Sequence, residues 1–409
     1  MRKSFVALLL SALLLCVPLG GRGEVVDLSP TAAPTEAPAP LSPVSDAPLL
    51  EAPPIHPDCA AALLMEADSG QIIFEMNADV PRPVASVTKV MTILLALEQL
   101  DSGRLSPDEV VTVSEAAAGM GGSQVLLDVN ERQSVDTLLR CMIVGSANDA
   151  AVALAEAMFG SEALCVEAMN RRAAELGMAD THFENCTGLP AQGQHTTARD
   201  VAIMSRQMFA HPRYFDWSGV WMEDIDHGDG RVTQLVNTNK LLKLYDGCDG
   251  GKTGSTGEAG YCVSATAKRG DMRLIAVVLG AEAGKERFAI AREMFDFGFA
   301  NYRKYPVAVR GTRVKGELPV TGGEKDGVGL MLDADLTLLV NKGDEQRVQL
   351  EPELSASLAA PVAAGDPAGN VRVLVDGREV ARIPVVAREP VAARGVNIGR
   401  LWRYWVAKG

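Results

Sequence analysis

The feature that most constrains the fold is a pair of strand groups, one on each side of a long helical stretch. Short apolar runs bounded by turn residues predict strands at 60–66, 71–76, 261–267 and 274–279. The first two are close enough to form an antiparallel hairpin, whereas residues 86–212 have mostly helical periodicity. A further helix is predicted at about 285–302. Distant parts of the chain must therefore complete one sheet, which predicts an α+β fold.

The character of the sequence changes after Tyr305. Short alternating strands, interrupted by Gly, Asp and Pro, are predicted at 307–318, 327–340, 346–350 and 371–386. Residues 304–388 are therefore predicted to form a separate small all-β domain without candidate chemistry of its own. A chain of 409 residues is long enough for two or more domains with sizeable cores.

The C-terminal tail, residues 389–409, is amphipathic and basic in an otherwise acidic protein. Its apolar residues are spaced i, i+3, i+4 and i+7, at Ile398, Leu401, Trp402 and Trp405. Two interpretations stay open for this tail. It is either a short helix that lies in the membrane surface or a terminal helix that packs on its own domain.

The N-terminus has the pattern of a secretory signal peptide, residues 1–23. A positively charged start precedes an apolar run from Phe5 to Leu19, which is short for a transmembrane span, and cleavage is predicted after Gly23. Residues 24–57 are rich in Pro and Ala, and we expect them to form an extended linker. These features predict an exported, extracytoplasmic protein.

Charge and metal-ligand content argue against two classes of protein. The net charge of −13 leaves no broad basic face for a nucleic acid. The five histidines are isolated and the cysteines lack close pairs, so neither a metal site nor a Ser-His-Asp triad is predicted. Export permits disulfides, but the sequence selects no pairing, and free buried thiols are an equal alternative. The six cysteines beyond the signal peptide are Cys59, Cys141, Cys165, Cys186, Cys248 and Cys262.

The first candidate for chemistry is the pair Ser86 and Lys89. Apolar residues at helical spacing follow this pair, which predicts a buried helix that begins near Ser86. Positions i and i+3 lie on one helix face, so the hydroxyl and the amine can touch. Desolvation lowers a lysine pKa, so a buried Lys89 can act as the base that activates Ser86. Taken alone, the pair is more typical of a helix N-cap followed by a surface lysine.

The second candidate is Ser146-Ala147-Asn148, at a corner between two predicted helices. It offers a hydroxyl and an amide two residues apart. With Asp149, the same residues would make a good N-cap for the alanine-rich helix predicted at 149–159. Taken alone, the capping role is favoured, although one segment can serve both purposes.

The third candidate is Lys252-Thr253-Gly254-Ser255, shortly before a predicted strand. Glycines around a Lys-Thr pair are typical of a phosphate-binding loop, but that motif requires a glycine where this chain has Asp246, and a helix after it. On an edge strand, the segment would instead present a cation, a hydroxyl and a glycine gap where a substrate backbone can approach closely.

In this order, the three motifs resemble those of the penicillin-recognising serine enzymes. Neighbouring segments narrow the resemblance to the low-molecular-mass D-alanyl-D-alanine carboxypeptidases, peptidase family S11. These segments are 120–124, 145–150, 194–200 and 237–242. The resemblance covers about residues 58–303 and implies a β-lactamase/transpeptidase-like domain, an antiparallel sheet plus a helical cluster. The small all-β domain and the tail also fit the layout of that family.

The resemblance implies a catalytic role for three residues. Ser86 would attack the carbonyl between two terminal D-alanines, with Lys89 as its base. Ser146 would relay the proton to the leaving amine, and Asn148 would orient Lys89 and the substrate amide. Water would then release the acyl-enzyme.

The resemblance also implies a set of substrate-binding residues: Asn148, Lys252, Thr253, Gly254 and Ser255. Lys252 would keep the local potential positive and attract a carboxylate, which Thr253 would contact. The N–H groups of Ser86 and Ser255 would form an oxyanion hole. Some relatives hold the carboxylate with an arginine near the position of Thr238, and its absence here leaves that task to Lys252 and Thr253.

The implied partners are peptidoglycan pentapeptide stems, β-lactam antibiotics that acylate Ser86, and the membrane surface, with no cofactor and no nucleic acid. A β-lactamase is one alternative, but its deacylating loop would have to come from Glu162, Glu167 and Asn170, which lie in a predicted helix, and such enzymes lack a second β-domain. A penicillin-binding sensor without turnover is another alternative. We expect His195 to brace a helix start rather than to take part in chemistry.

Overall fold

The computed structural model describes residues 25–27 and 55–395. The predicted signal peptide, most of the predicted linker and the amphipathic part of the tail lie outside the described residues. Contacts divide the chain into two compact units. One unit spans residues 50–302, and the other spans residues 303–409 together with residues 1–49.

The helices and strands follow the order that the sequence predicts: strands, then a mostly helical stretch, then strands again. The helices are α1 Lys89–Asp101, α2 Glu115–Ala118, α3 Val135–Val144, α4 Asn148–Phe159, α5 Glu162–Glu175, α6 Ala198–Phe209, α7 Phe215–Ser218, α8 Leu241–Leu244 and α9 Glu286–Asn301. The strands are β1 Val25–Asp27, β2 Ala61–Glu66, β3 Ile72–Met76, β4 Val110–Thr112, β5 Arg132–Ser134, β6 Met222–Asp226, β7 Val232–Val236, β8 Cys248–Thr256, β9 Gly260–Arg269, β10 Met272–Ala281, β11 Tyr302–Ala308, β12 Arg313–Thr321, β13 Gly327–Leu332, β14 Leu336–Asn341, β15 Val348–Leu354, β16 Leu358–Ala359, β17 Pro367–Val375 and β18 Arg378–Ala387.

The main sheet of the first unit has the order β3-β2-β10-β9-β8, with every neighbouring pair antiparallel. Its strands come from both sides of the helical stretch, as the sequence predicts. Strand β8, which carries the third motif, lies at the edge of this sheet, so one side of its backbone is available to a substrate.

Both faces of this sheet are covered, which explains its continuous apolar strands. On β10, Ile275 belongs to the core formed with the helical cluster. Leu274 lies on the opposite face of the sheet and packs against α9. A Cβ atom added at Gly298 of this helix would lie only 2.5 Å from the Leu274 side chain. Alternate residues of one strand therefore fill two separate layers.

Helix α1 lies in the centre of the helical cluster, with all of its residues buried except Glu98 and Asp101. The predicted start of this helix at Ser86 is wrong by one turn, because α1 begins at Lys89. Residues Ala85–Thr88 form a 3-10 turn instead. Ala85 has a φ of 49°, which is outside the right-handed α-helical region, so a regular α-helix cannot include this residue.

The second unit is an all-β domain with its own core of Val and Leu side chains. Its largest sheet has the order β1-β12-β13-β18-β17-β15, and β16 pairs with β12. Each of the strands predicted at 327–340 and 371–386 is divided into two consecutive strands by a short turn. Residues Val25–Asp27, within the predicted linker, pair in parallel with β12. The predicted α+β fold followed by a small all-β domain is confirmed.

Candidate active site

The 3-10 turn brings Ser86 and Lys89 into contact at the entrance to α1. The Nζ atom of Lys89 lies 3.0 Å from the Oγ atom of Ser86. A 3-10 helix has three residues per turn, so side chains at i and i+3 are directly above one another. Ser86 is half-buried, whereas Lys89 has no exposed surface. The contact that the i, i+3 spacing predicts is present, on a tighter turn than expected.

Two carbonyl oxygens fix the Lys89 amine. Its Nζ atom donates to Oδ1 of Asn148 at 2.6 Å and to the backbone oxygen of Thr187 at 2.7 Å. A neutral amine has two N–H groups and one lone pair. With both N–H groups held by these oxygens, a neutral Lys89 would have its lone pair left for the remaining neighbour, the hydroxyl of Ser86.

Burial lowers the pKa of Lys89 to about 7, and the negative charge of Asp149 opposes the shift without cancelling it. An amine with this pKa is substantially neutral at pH 7 and still basic enough to accept a proton. A pKa in this range is what the predicted base role of Lys89 requires.

The second motif turns sharply at Ser146, which has a φ of 64°. Helix α4 follows with Ala147 as its N-cap and with no capping side chain, so the predicted capping role of Ser146 and Asn148 is wrong. Instead, both side chains face the site. Asn148 accepts from Lys89 and donates from Nδ2 to the oxygen of Gly121 at 2.6 Å, which fixes the orientation of its amide.

The third motif meets the second through a buried lysine. Lys252 donates from Nζ to Oγ of Ser146 at 2.7 Å and to the backbone oxygen of Thr253 at 3.0 Å. Thr253 donates from Oγ1 to Thr238 at 2.8 Å. Lys252 and Thr253 are buried, whereas Ser255 is exposed at the strand edge.

Burial lowers the pKa of Lys252 well below its ordinary value, and the positive charges of Lys89 and Arg287 lower it further. The lowered pKa of Lys89 has burial as its largest cause, rather than the charge of Lys252. A carboxylate bound next to Lys252 would raise the Lys252 pKa, so substrate binding and protonation of this lysine are coupled.

Gly254 lets strand β8 pass directly against the turn that carries Ser86. A Cβ atom at this position would lie 2.6 Å from the oxygen of Val84 and 2.8 Å from the nitrogen of Ser86. Any larger residue would separate the strand from the turn. The close approach places the backbone of β8 beside the N–H group of Ser86, where the oxyanion hole is predicted.

Several groups that hold the site have no motif of their own. Thr187 contributes only its backbone oxygen, which no sequence pattern identifies. Arg287 donates from Nη1 to the oxygen of Gly254 at 2.9 Å, and Asn239 donates from Nδ2 to the oxygen of Gly250 at 3.1 Å, so both brace strand β8. Asn239 belongs to the 237–242 segment that the resemblance singled out.

The other sequence candidates lie in structural roles. Glu162 accepts from the backbone N–H of Cys186 at 3.1 Å, Asn170 bonds the backbone of Phe183, and Glu167 is exposed. None of the three is bonded to Ser86 or Lys89. The N-cap of α6 is Thr197, and the Nδ1 atom of His195 lies 2.6 Å from the backbone oxygen of Gly193, so the His195 side chain does not cap this helix.

Residues 55–395 contain neither a disulfide nor a cluster of metal-ligating side chains. All six cysteines between residues 55 and 395 are free thiols. Within the same residues, no group of three or more His, Cys, Asp or Glu side chains is arranged to hold a metal ion.

No helix in the described part of the chain is both long and apolar enough to cross a membrane.

Solved structures with the same architecture define the class of this protein. The penicillin-binding protein 5 from Haemophilus influenzae has a TM-score of 0.74 and 31% identity, over 84% of this chain and 100% of that chain. The ampicillin-bound form of penicillin-binding protein D2 from Listeria monocytogenes has a TM-score of 0.54 and 32% identity, over 60% of this chain and 100% of that chain. The fold is that of a penicillin-binding protein with a β-lactamase/transpeptidase-like domain.

Sequence comparison gives the family. Residues 50–283 match the D-alanyl-D-alanine carboxypeptidase family model, and residues 302–393 match that of the penicillin-binding protein 5 C-terminal domain. The chain is 38% identical over 339 residues to D-alanyl-D-alanine carboxypeptidase DacF of Bacillus subtilis, covering 83% of this chain and 87% of that protein. It is 34% identical to DacD of Escherichia coli, covering 86% and 91%. The chain belongs to the D-alanyl-D-alanine carboxypeptidase family S11, the low-molecular-mass penicillin-binding proteins.

Proposed function

We propose that this protein is a serine D-alanyl-D-alanine carboxypeptidase that removes the terminal D-alanine from peptidoglycan stem peptides. The observation that carries the proposal is the contact of 3.0 Å between Ser86 and Lys89, whose pKa is lowered to about 7. A serine hydroxyl is a weak nucleophile until a neighbouring base accepts its proton. Membership of the carboxypeptidase family supports the choice of substrate.

In the first half of the proposed reaction, Ser86 Oγ attacks the carbonyl carbon between the two D-alanines while its proton passes to Lys89. The N–H groups of Ser86 and Ser255 stabilise the resulting oxyanion. The C–N bond then breaks, and the proton that Lys89 accepted passes through Ser146, which Lys252 holds in place, to the leaving amine. The products are free D-alanine and an ester on Ser86.

In the second half, water attacks the ester carbonyl and gives its proton to Lys89. The bond to Oγ breaks, Ser86 recovers its proton, and the shortened peptide leaves as a carboxylic acid. Asn148 keeps its bond to Lys89 in both halves, so the same amine serves as base twice.

Substrate binding in this proposal depends on strand β8. The terminal carboxylate lies against Lys252 and Thr253, and the peptide runs antiparallel to the strand edge. β-Lactams would enter the same position and acylate Ser86. The Listeria relative, solved in an ampicillin-bound form, supports this proposal.

We further propose the cellular layout that the sequence predicts. Residues 1–23 direct export, residues 24–57 form the linker, residues 58–303 and 304–388 form the catalytic and β-domains, and residues 389–409 contact the membrane surface. The protein then acts on the outer face of the cytoplasmic membrane or in the cell wall.

The proposal is tested by incubating the full-length protein and Ser86→Ala with a peptide that ends in Lys-D-Ala-D-Ala and measuring free D-alanine. Release by the parent and none by the variant is the expected result. Release by both would show that Ser86 is not the nucleophile. No release by either, with a β-lactam still bound covalently, would indicate a sensor without turnover.

A further inference from the structure

A buried carboxylate that the proposed reaction does not use lies directly after the second motif. Asp149 is the second residue of α4, and only 1% of its surface is exposed. Its oxygens accept from the backbone N–H groups of Val125 at 3.1 Å, Leu127 at 3.2 Å and Ala150 at 2.9 Å. A buried charge requires such partners, and the positive end of a helix dipole also favours a carboxylate. Asp149 therefore joins the start of α4 to residues 125–127.

The segment that Asp149 binds has a strained backbone. Leu126 has a φ of 65°, in the left-handed region that a leucine rarely adopts. Its side chain is exposed, so packing in the core does not enforce this conformation. The N–H groups of its two neighbours, Val125 and Leu127, both donate to Oδ2 of Asp149. Such strain persists only where surrounding contacts enforce it, and the charged acceptor provides these contacts.

The same segment fixes the amide of Asn148, which holds Lys89. The backbone N–H of Asn148 donates to the oxygen of Ser123 at 2.7 Å, and its Nδ2 atom donates to the oxygen of Gly121 at 2.6 Å. With the amide nitrogen bound in this way, the amide oxygen faces Lys89 and accepts from it at 2.6 Å. Residues 121–127 therefore connect the carboxylate at the start of α4 to the amine of the candidate base.

Asp149 also acts on Lys89 through its charge. This negative charge raises the pKa of the amine and opposes part of the effect of burial. The other titratable groups that face Lys89 are the thiol of Cys186 and the amine of Lys252. Burial raises the pKa of Cys186 well above its ordinary value, so this thiol is neutral, and burial lowers the pKa of Lys252. The negative charge that acts on the amine therefore comes from Asp149.

We propose that Asp149 is a positioning residue of the reaction, which acts on Lys89 through residues 121–127 and Asn148. The inference rests on the proposed function, because it concerns the base of the same acylation step. Without the carboxylate, the segment loses the acceptor that holds its strained turn, and the amide of Asn148 loses its fixed orientation. The amine of Lys89 would then be misplaced relative to Ser86, and the loss of the negative charge would lower the pKa of this amine.

The test measures the second-order rate constant for acylation of the full-length protein by benzylpenicillin, by stopped flow from pH 5 to 9. The parent is compared with two variants. Asp149→Asn keeps the shape of the side chain and removes its charge, whereas Asp149→Glu keeps the charge and displaces the carboxylate. Thermal unfolding is measured on the same samples, together with the release of D-alanine from a peptide that ends in D-Ala-D-Ala.

The matched control is Asp200→Asn. Asp200 is also a buried carboxylate in the first turn of a helix, α6. Its Oδ2 atom accepts from the hydroxyl of Thr181 at 2.7 Å instead of from the segment beside the site. Asp200→Asn therefore removes a comparable buried charge without affecting the route to Lys89.

We expect Asp149→Asn to change both features of the pH profile. The plateau at high pH should fall about tenfold to a hundredfold, because the base is misplaced. The midpoint should move to lower pH, because the ammonium form of Lys89 loses a nearby negative charge. Asp149→Glu should lower the plateau and keep the midpoint of the parent. Asp200→Asn should change neither feature, whatever its effect on thermal unfolding.

A double-mutant cycle tests the route through Asn148. If Asp149 acts by orienting this amide, Asp149→Asn should lower the plateau far less in an Asn148→Ala background than in the parent. Independent effects would instead multiply. An equal factor in the two backgrounds would contradict the proposed route.

A plateau and a midpoint in Asp149→Asn that equal those of the parent would overturn the positioning role while the proposed function stands. An unchanged midpoint, with a plateau loss that Asp200→Asn reproduces, would also overturn it, since that result indicates a general structural effect. A parent that is acylated but releases no D-alanine would overturn the proposed function, and the pH profiles would still decide the role of Asp149 in acylation. If the parent is not acylated, both fall.

Discussion

The Nζ atom of Lys252 lies 2.7 Å from the Oγ atom of Ser146, so the edge strand and the corner before α4 are joined at the centre of the site. Both side chains are buried. In the proposed reaction this bond holds Ser146 where the leaving amine needs a proton.

Replacing Ser146 by Ala should therefore lower the rate of acylation by a peptide about 10²- to 10⁴-fold, the usual contribution of a positioned proton donor. Acylation by a β-lactam, whose leaving amine stays tethered in the opened ring, should fall less. Rapid-quench measurement of both rates checks this. Equal losses for the two acyl donors would contradict a role in proton delivery.

Acylation of Ser86 should depend on pH through Lys89. Because burial lowers the pKa of this amine to about 7, the neutral base forms as pH rises through that value. The rate constant for β-lactam acylation should therefore rise about tenfold per pH unit below pH 7 and level off above it. Stopped-flow acylation from pH 5 to 9 gives the midpoint. A rate that rises only above pH 9 would mean that Lys89 is protonated in the folded enzyme.

The same shift predicts how stability depends on pH. Lys89 has its ordinary pKa of 10.5 in the unfolded chain and a pKa of about 7 when folded, so between these values the unfolded state binds more protons. The free energy of unfolding therefore falls as pH falls from the unfolded pKa of Lys89 toward its folded pKa. The free energy of unfolding of the parent should rise with pH from 7 to 9, relative to Lys89→Met, by at most about 1.4 kcal/mol per pH unit. Parallel slopes in chemical denaturation would contradict the lowered pKa.

Gly254→Ala should reduce acylation at least about tenfold, because a Cβ atom there would lie 2.8 Å from the nitrogen of Ser86 and would move β8 away from the turn. Gly257→Ala is the matched control on the same hairpin, with no atom within 4 Å of the added carbon. Acylation rates and thermal unfolding of both variants test the prediction. An active Gly254→Ala variant would show that the close approach is not needed.

The side-chain contacts within and between the motifs can be predicted from the sequence more completely than the backbone conformation that brings them together. The i, i+3 spacing predicts the contact of Ser86 with Lys89, and the family resemblance predicts that Asn148 orients Lys89. The φ of 64° at Ser146 was not predictable, because a left-handed serine is rare and a helix cap is the usual role of such a segment.

Other parts of the site could not be predicted because no side-chain pattern marks them. The oxygen of Thr187 binds Lys89 through the backbone, which any residue would offer. Arg287 reaches Gly254 only because α9 packs on β9 and β10, a tertiary contact without a local signature. The strand boundaries near 333 and 376 were missed for a simpler reason, since short turns interrupt what reads as continuous alternation.

The most direct measurement maps the covalent adduct on the full-length protein after brief exposure to benzylpenicillin, by proteolysis and mass spectrometry. The account predicts a single adduct on Ser86 in the parent, none in Ser86→Ala, and a strongly slowed adduct on Ser86 in Lys89→Met. An adduct on another residue, or one that persists in Ser86→Ala, would contradict the assignment of Ser86 as the nucleophile. An adduct that forms in Lys89→Met at the parent rate would contradict the role of Lys89 as its base.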